Sequence, residues 1–131
     1  MSTGRVDFNA NERVQTEAVF PLALVVQQAD LAAADNTYVV SPVSGYIDDV
    51  YSVVEVALTT AKSTITVKTA AGTVGTFEIA HEAAIGDVDS FKAQKTLANT
   101  YVAKGATIEL ENDAAPGTGR ATFTIILKEQ A

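Results

Sequence analysis

The sequence predicts an all-β fold: an antiparallel β-sandwich, Ig-like or jelly-roll, of about seven or eight strands behind an extended N-terminal arm. Three observations carry that reading. Of the 131 residues, 16 are Val, 7 are Ile and 16 are Thr, and β-branched side chains are stiff at χ1 and fit a pleated surface better than a helix. Apolar residues alternate over short runs instead of recurring at helical spacing. Those runs are bounded at short intervals by Gly, Pro and Asn, as in antiparallel sandwiches. The length suits one domain, and there is no internal repeat, heptad pattern or low-complexity linker to divide it. Residues 1–16 are assigned to the arm and residues 17–131 to the sandwich.

Residues 17–28 (EAVFPLALVVQQ) read as the first strand, with Phe20, Leu22, Leu24 and Val26 alternating on one face and Val19, Ala23 and Val25 on the other. Pro21 has no N–H to give to a ladder, which places this strand at an edge or starts its pairing after the proline. Asp30 caps a turn over Ala32–Ala34. Thr37–Val40 is a short strand ended by Pro42. Tyr46–Leu58 is a long one whose alternation slips at Asp48-Asp49-Val50, the mark of a bulge or of a bend between sheets. Ser63–Thr69 and Gly72–Ala80 form a hairpin around Ala70-Ala71-Gly72, with a second bulge at Gly75. Residues 81–101 are the least regular and are expected to hold a short helical turn and to cross between sheets. Ala106–Glu111 and Ala121–Lys128 are the last strands, with Asn112–Gly119 read as a hairpin loop. The expected core is Leu22, Leu24, Ile65, Val67, Phe77, Ile79, Ile108, Leu110, Phe123, Ile125 and Leu127.

Composition excludes several kinds of chemistry. With Cys 0 there is no thiol nucleophile, no cysteine-ligated zinc and no disulfide framework. With His 1, a multi-histidine metal site cannot be built. A net charge of −7 repels phosphate backbones and anionic membrane surfaces, so neither nucleic acid nor membrane is an expected partner. No run approaches the roughly 20 apolar residues of a membrane span. The N-terminus lacks the apolar core of a signal peptide, which implies synthesis in a cytoplasm.

Few residues offer a site. His81-Glu82 has the form of a base beside a carboxylate, but no nucleophile elbow, P-loop or dinucleotide fingerprint accompanies it, and no catalytic set is predicted. Carboxylates gather at Asp48-Asp49, at Asp87 and Asp89, and at Glu109, Glu111 and Asp113. Asp87, Asp89 and Asp113 are the first candidates for calcium, which needs six to eight oxygens. Aspartates are also ordinary turn residues, and neither metal nor cofactor is expected. Tyr38, Tyr46, Tyr51 and Tyr101 are the candidates for an aromatic glycan platform, with rim-of-core positions the plainer reading.

The arm is assigned to intermolecular contact through Arg5, Val6, Asp7, Phe8, Glu12, Arg13 and Val14. Three sizeable apolar anchors are too few to hold it on its own sandwich, because ordering each residue's backbone costs about 1–2 kcal/mol. Spread along a partner, the same residues alternate anchor and ion pair, as strand-addition segments do.

The stretch Val39-Val40-Ser41-Pro42-Val43-Ser44-Gly45-Tyr46-Ile47-Asp48-Asp49-Val50, with Ala57-Leu58-Thr59-Thr60-Ala61, Ile65-Thr66-Val67-Lys68, Gly86-Asp87-Val88-Asp89-Ser90 and Val102–Leu110, resembles small Ala/Thr/Val-rich head proteins of tailed bacteriophages. These are capsid decoration (cement) and head-fibre proteins, and the resemblance covers roughly residues 37–127. It implies a non-enzymatic virion protein on the capsid exterior, made in the host cytoplasm. Its partners would be the major capsid protein and copies of itself, often as trimers. The other readings are a tail- or fibre-associated sandwich module and a carbohydrate- or cell-surface-binding module.

Overall fold

The computed structural model describes residues 21–34, 36–94 and 97–129. Among these residues nine strands follow in order: β1 (Pro21–Gln28), β2 (Asn36–Val40), β3 (Gly45–Thr59), β4 (Ser63–Thr69), β5 (Gly72–Ile79), β6 (Val88–Lys92), β7 (Tyr101–Val102), β8 (Thr107–Glu111) and β9 (Thr118–Glu129). The only helical element among the described residues is a 3-10 turn at Ala98–Thr100. Sheet I has the order β1-β9-β3-β6, with β7 also on β3, and sheet II the order β2-β8-β4-β5.

All pairings are antiparallel. With the two-residue β7 set aside, β1 pairs β9, β2 pairs β8, β3 pairs β6 and β4 pairs β5. That is one long ribbon closed at the β4–β5 hairpin and wrapped so that β3 meets β9 and β4 meets β8. Eight strands in this order form a jelly roll, which decides between the two sandwich types the sequence allows.

The core lies between the sheets and obeys period two. Ile47, Val50, Val54 and Leu58 of β3, Ile65 and Val67 of β4, Ile108 and Leu110 of β8, and Phe123, Ile125 and Leu127 of β9 are all buried. Phe77 and Ile79 join them from β5. Leu22 and Leu24, expected in the core, are half-buried instead; among the described residues β1 pairs with β9 alone. At the far end Gln28 ties the layers together. Its Nε2 donates to the Leu110 carbonyl at 2.9 Å, and its Oε1 accepts from Asn112 Nδ2 at 2.9 Å.

Both bulges lie where the alternation slips. On β3, Ile126 pairs with Asp49 and Leu127 with Ile47, so Asp48 is the extra residue. The strand stays in sheet I on both sides of it, so the slip is a bulge and not a bend between sheets. On β5, Val67 pairs with Gly75 and Lys68 with Thr73, leaving Val74 unpaired. Gly75 is required there, because a Cβ would lie 2.2 Å from Cζ of Phe91. Asp30 caps its turn as expected, with Oδ1 accepting from the Ala32 N–H at 2.9 Å.

Two expectations need correction. Asn112–Gly119 is not a hairpin loop: β8 belongs to sheet II and β9 to sheet I, so the segment crosses between layers. Composition marks a loop but does not say which sheet each end joins. The irregular stretch 81–101 contains β6, an edge strand whose sole large inward residue is Phe91, too few for an alternation to register. It does cross between sheets and does hold a helical turn.

Candidate interaction surface

The residues with chemical potential are dispersed. His81 Nδ1 lies 3.6 Å from Glu82 Oε2, and both side chains stand in solvent. Asp87 Oδ2 accepts the Ala84 N–H at 2.9 Å, and Asp113 Oδ1 the Ala115 N–H at 3.2 Å. Each carboxylate thus closes its own turn. No group of three or more metal-ligating side chains occurs among the described residues, so the structure does not bring Asp87, Asp89 and Asp113 together as an ion site. Burial, then the charge of Asp87, pushes the Asp89 carboxyl above its ordinary value. Glu109 accepts from Asn36 Nδ2 at 2.6 Å, and Glu111 pairs with Lys68 at 2.8 Å on the outer face of sheet II.

The tyrosines form no single platform. Tyr38 lies on sheet II, with its hydroxyl 3.5 Å from Glu109 Oε2. Tyr46 and Tyr101 meet edge to face on sheet I, with ring centroids 5.5 Å apart. Tyr51 is further along β3. The predicted arm contacts Arg5, Val6, Asp7, Phe8, Glu12, Arg13 and Val14 lie outside the described residues.

The outer face of sheet I is organised. Along its middle, Val25 of β1, Tyr51 and Val53 of β3, Val88 of β6 and Ile126 of β9 form an apolar strip that Thr122 and Thr124 of β9 interrupt. Val25 and Val88 are 65% and 63% exposed. A shallow groove of about 200 Å³ runs between Tyr51, Val53 and Val88 over Thr122 and Thr124. Two ionic clusters flank the strip. At the β3 bulge, Lys92 lies 3.2 Å from Asp48 and 3.5 Å from Asp49, and Lys128 lies 3.5 Å from Asp48. Burial pushes the Asp48 carboxyl up, but the hydrogen bond from Lys92 and the charge of Lys128 outweigh it and hold Asp48 below its ordinary value. At the other end, Glu55 accepts from Thr122 at 2.7 Å and from Gln27, with Arg120 at 3.4 Å. Those hydrogen bonds, Thr122's first, also lower the Glu55 pKa.

Each acid on this face is therefore matched by a base. A neutral apolar strip on a chain of net charge −7 is a surface where a protein partner can pack without bringing like charges together. Its sequence signal was present: β1 is apolar on both faces, and Tyr51 and Val53 are apolar on the parity opposite Val50 and Val54.

No helix among the described residues is long and apolar enough to cross a membrane. No protein-family model and no curated protein matches the chain. Among solved structures, the fold is similar to part of dimeric latent PorU from Porphyromonas gingivalis. The TM-score is 0.51 and the identity 6%, over 86% of this chain and 13% of that one. A Bacillus endospore appendage protein, from a family of disulfide-linked pili, aligns with a TM-score of 0.43. Its identity is 18%, over 86% of this chain and 89% of that one. The PorU likeness agrees with the β-sandwich read from the strand order and extends no further.

Proposed function

We propose that the chain is a non-enzymatic structural protein that decorates the exterior of a tailed-phage capsid. It binds the major capsid protein and copies of itself, in trimers. The observation that carries the proposal is the outer face of sheet I, an apolar strip between self-neutralised ion clusters on an otherwise acidic domain. The resemblance of residues 37–127 to phage head proteins supplies the setting. Net negative charge elsewhere suits a particle exterior that must not adhere to DNA or to other particles. Jelly rolls serve in viral capsids and in lectins alike, so the fold is an analogy and not itself the argument.

The test mixes purified protein with undecorated particles and measures bound copies. Saturable binding is expected, weakened by Val88→Asp, which puts a charge into the strip, and by deletion of residues 2–14. Binding that neither change affects would place attachment elsewhere and remove the case for this face. Absence of binding to any capsid would remove the decoration reading.

A further inference from the structure

β6 supplies one wall of the groove on the outer face of sheet I and turns two side chains inward. Val88, Ser90 and Lys92 are exposed, while Asp89 and Phe91 take the interlayer parity. Phe91 stacks on Phe77 with centroids 6.4 Å apart and lies over Gly75. Asp89 faces Ser52, its register partner on β3. Ser52 shares the inner parity of Val50 and Val54 and is 1% exposed. Its hydroxyl has no hydrogen-bond partner. Directly opposed residues on one face of an antiparallel pair have Cβ atoms about 4.5–5.5 Å apart, so rotation about χ1 brings carboxyl and hydroxyl together.

The surroundings of Asp89 disfavour its charge. The inner rows around it are apolar: Val50 and Val54 on β3, Phe77 and Ile79 on β5, and Phe123 on β9. The ionic groups of the same elements lie elsewhere. Lys92 pairs with Asp48 and Asp49, and Arg120 with Glu55, on the outer face of sheet I. Glu78 of β5 is exposed and pairs with Lys62 at 2.7 Å. In the loop ahead of β6, His81 and Glu82 stand in solvent. Among the described residues Asp87 is the charge that acts on Asp89, and it has the same sign. Burial first, then Asp87, hold the Asp89 carboxyl above its ordinary value.

We propose that Asp89 is a proton-operated catch on β6, which regulates the groove on the outer face. When protonated, its carboxyl donates to the Ser52 hydroxyl oxygen, gives that buried group a partner and seats the first half of the strand. When ionised, the carboxylate turns toward water and the pairing of residues 88–90 with β3 loosens. The consequence falls on the outer face, because Val88 precedes Asp89 in the chain, pairs with Val53 and lines the groove with Tyr51, Thr122 and Thr124. Acid therefore firms the groove wall, and a rise in pH loosens it. The sign follows from linkage. With the pKa raised in the fold, the stabilisation is complete below the ordinary value of 3.8 and is lost as pH rises through the raised one. The catch stands on the Asp89–Ser52 pair alone, whereas its bearing on docking rests on the reading of this face as the attachment surface.

The test uses the free, full-length protein with EDTA present. The Asp89 carboxyl carbon, assigned by its absence in Asp89→Asn, is titrated by NMR. Its midpoint is expected above 3.8, and lower in Ser52→Ala than in the parent, because that change removes the acceptor of the neutral acid's hydrogen bond. Hydrogen exchange of residues 86–92, corrected for intrinsic rates, is expected to be about threefold slower or more at about pH 4 than at about pH 7. In Asp89→Asn, whose amide donates as the protonated acid does, exchange is expected to be slow at both. A midpoint at or below 3.8, a midpoint that Ser52→Ala leaves in place, or a pH dependence that Asp89→Asn retains would overturn the proposal. Should Ser52→Ala fold poorly, the exchange of Asp89→Asn decides. With undecorated particles at neutral pH, Asp89→Asn is expected to bind about threefold more tightly than the parent. Equal binding would overturn the link to docking, and absence of binding by both proteins would count against the capsid reading alone, since the titration and exchange involve no particle.

Discussion

Phe123→Ala tests the core assignment most severely. Among the described residues Phe123 is the largest fully buried side chain, at 0% exposure near the middle of β9, with β1 on one side and β3 on the other. Its ring meets Phe77 edge to face, with centroids 6.3 Å apart and planes at 75°. Truncation removes the ring's transfer free energy and leaves a cavity that two flanking strands keep from collapsing, so the loss should be about 3–5 kcal/mol. Of that, about 0.5–1.5 kcal/mol belongs to the aromatic pair beyond its area and should appear as the coupling in a cycle with Phe77→Ala. Against a total stability of about 5–15 kcal/mol, the domain should remain folded at room temperature with a much lower urea midpoint. With no tryptophan to report, far-ultraviolet circular dichroism follows the unfolding. A loss below about 1 kcal/mol would mean that the inner and outer faces of β9 are inverted.

Four further outcomes are expected. Because the Asp48 pKa is lowered in the fold, its contribution is present above the ordinary carboxylate value of 3.8 and is lost as pH falls through the lowered value. Asp48→Asn should therefore flatten the acid limb of the stability profile, and an unchanged limb would contradict the Lys92–Asp48–Lys128 cluster. Asp89 has the opposite sign: its raised pKa means that the charged form costs stability once pH rises through the carboxylate range, so Asp89→Asn should raise the neutral-pH melting temperature. Gly75→Val drives a side chain into the Phe91 ring and should cost about 1–3 kcal/mol by overpacking, measured by urea titration. EDTA should leave the melting temperature unchanged, and a clear fall would make Asp87, Asp89 and Asp113 candidate ligands once more.

What the sequence made legible followed from periodicity. Ile65/Val67, Ile108/Leu110 and Phe123/Ile125/Leu127 are clean period-two runs on strands with a neighbour on each side, and all seven are buried. The Asp48 bulge was visible because an extra residue shifts the parity of everything beyond it. The pairing of distant strands was not legible. That β1 joins β9 across some hundred residues, or that the Asn112–Gly119 stretch changes sheets, depends on how the ribbon wraps, and local composition carries no trace of it. β6 was hidden because an edge strand needs few apolar residues. The apolar strip was half visible: Val25 sits on a strand apolar on both faces and Tyr51 and Val53 fall on the parity opposite Val50 and Val54, but only the register aligns them with Val88.

Mass spectrometry of purified virions, with the copy number of this chain set against that of the major shell protein, bears most directly on the proposed function. A decoration protein is expected in a fixed stoichiometric ratio to the shell protein, and particles stripped of it should recover that ratio on re-addition. A copy number at the level of a tail component, or absence from the particle, would contradict the capsid reading.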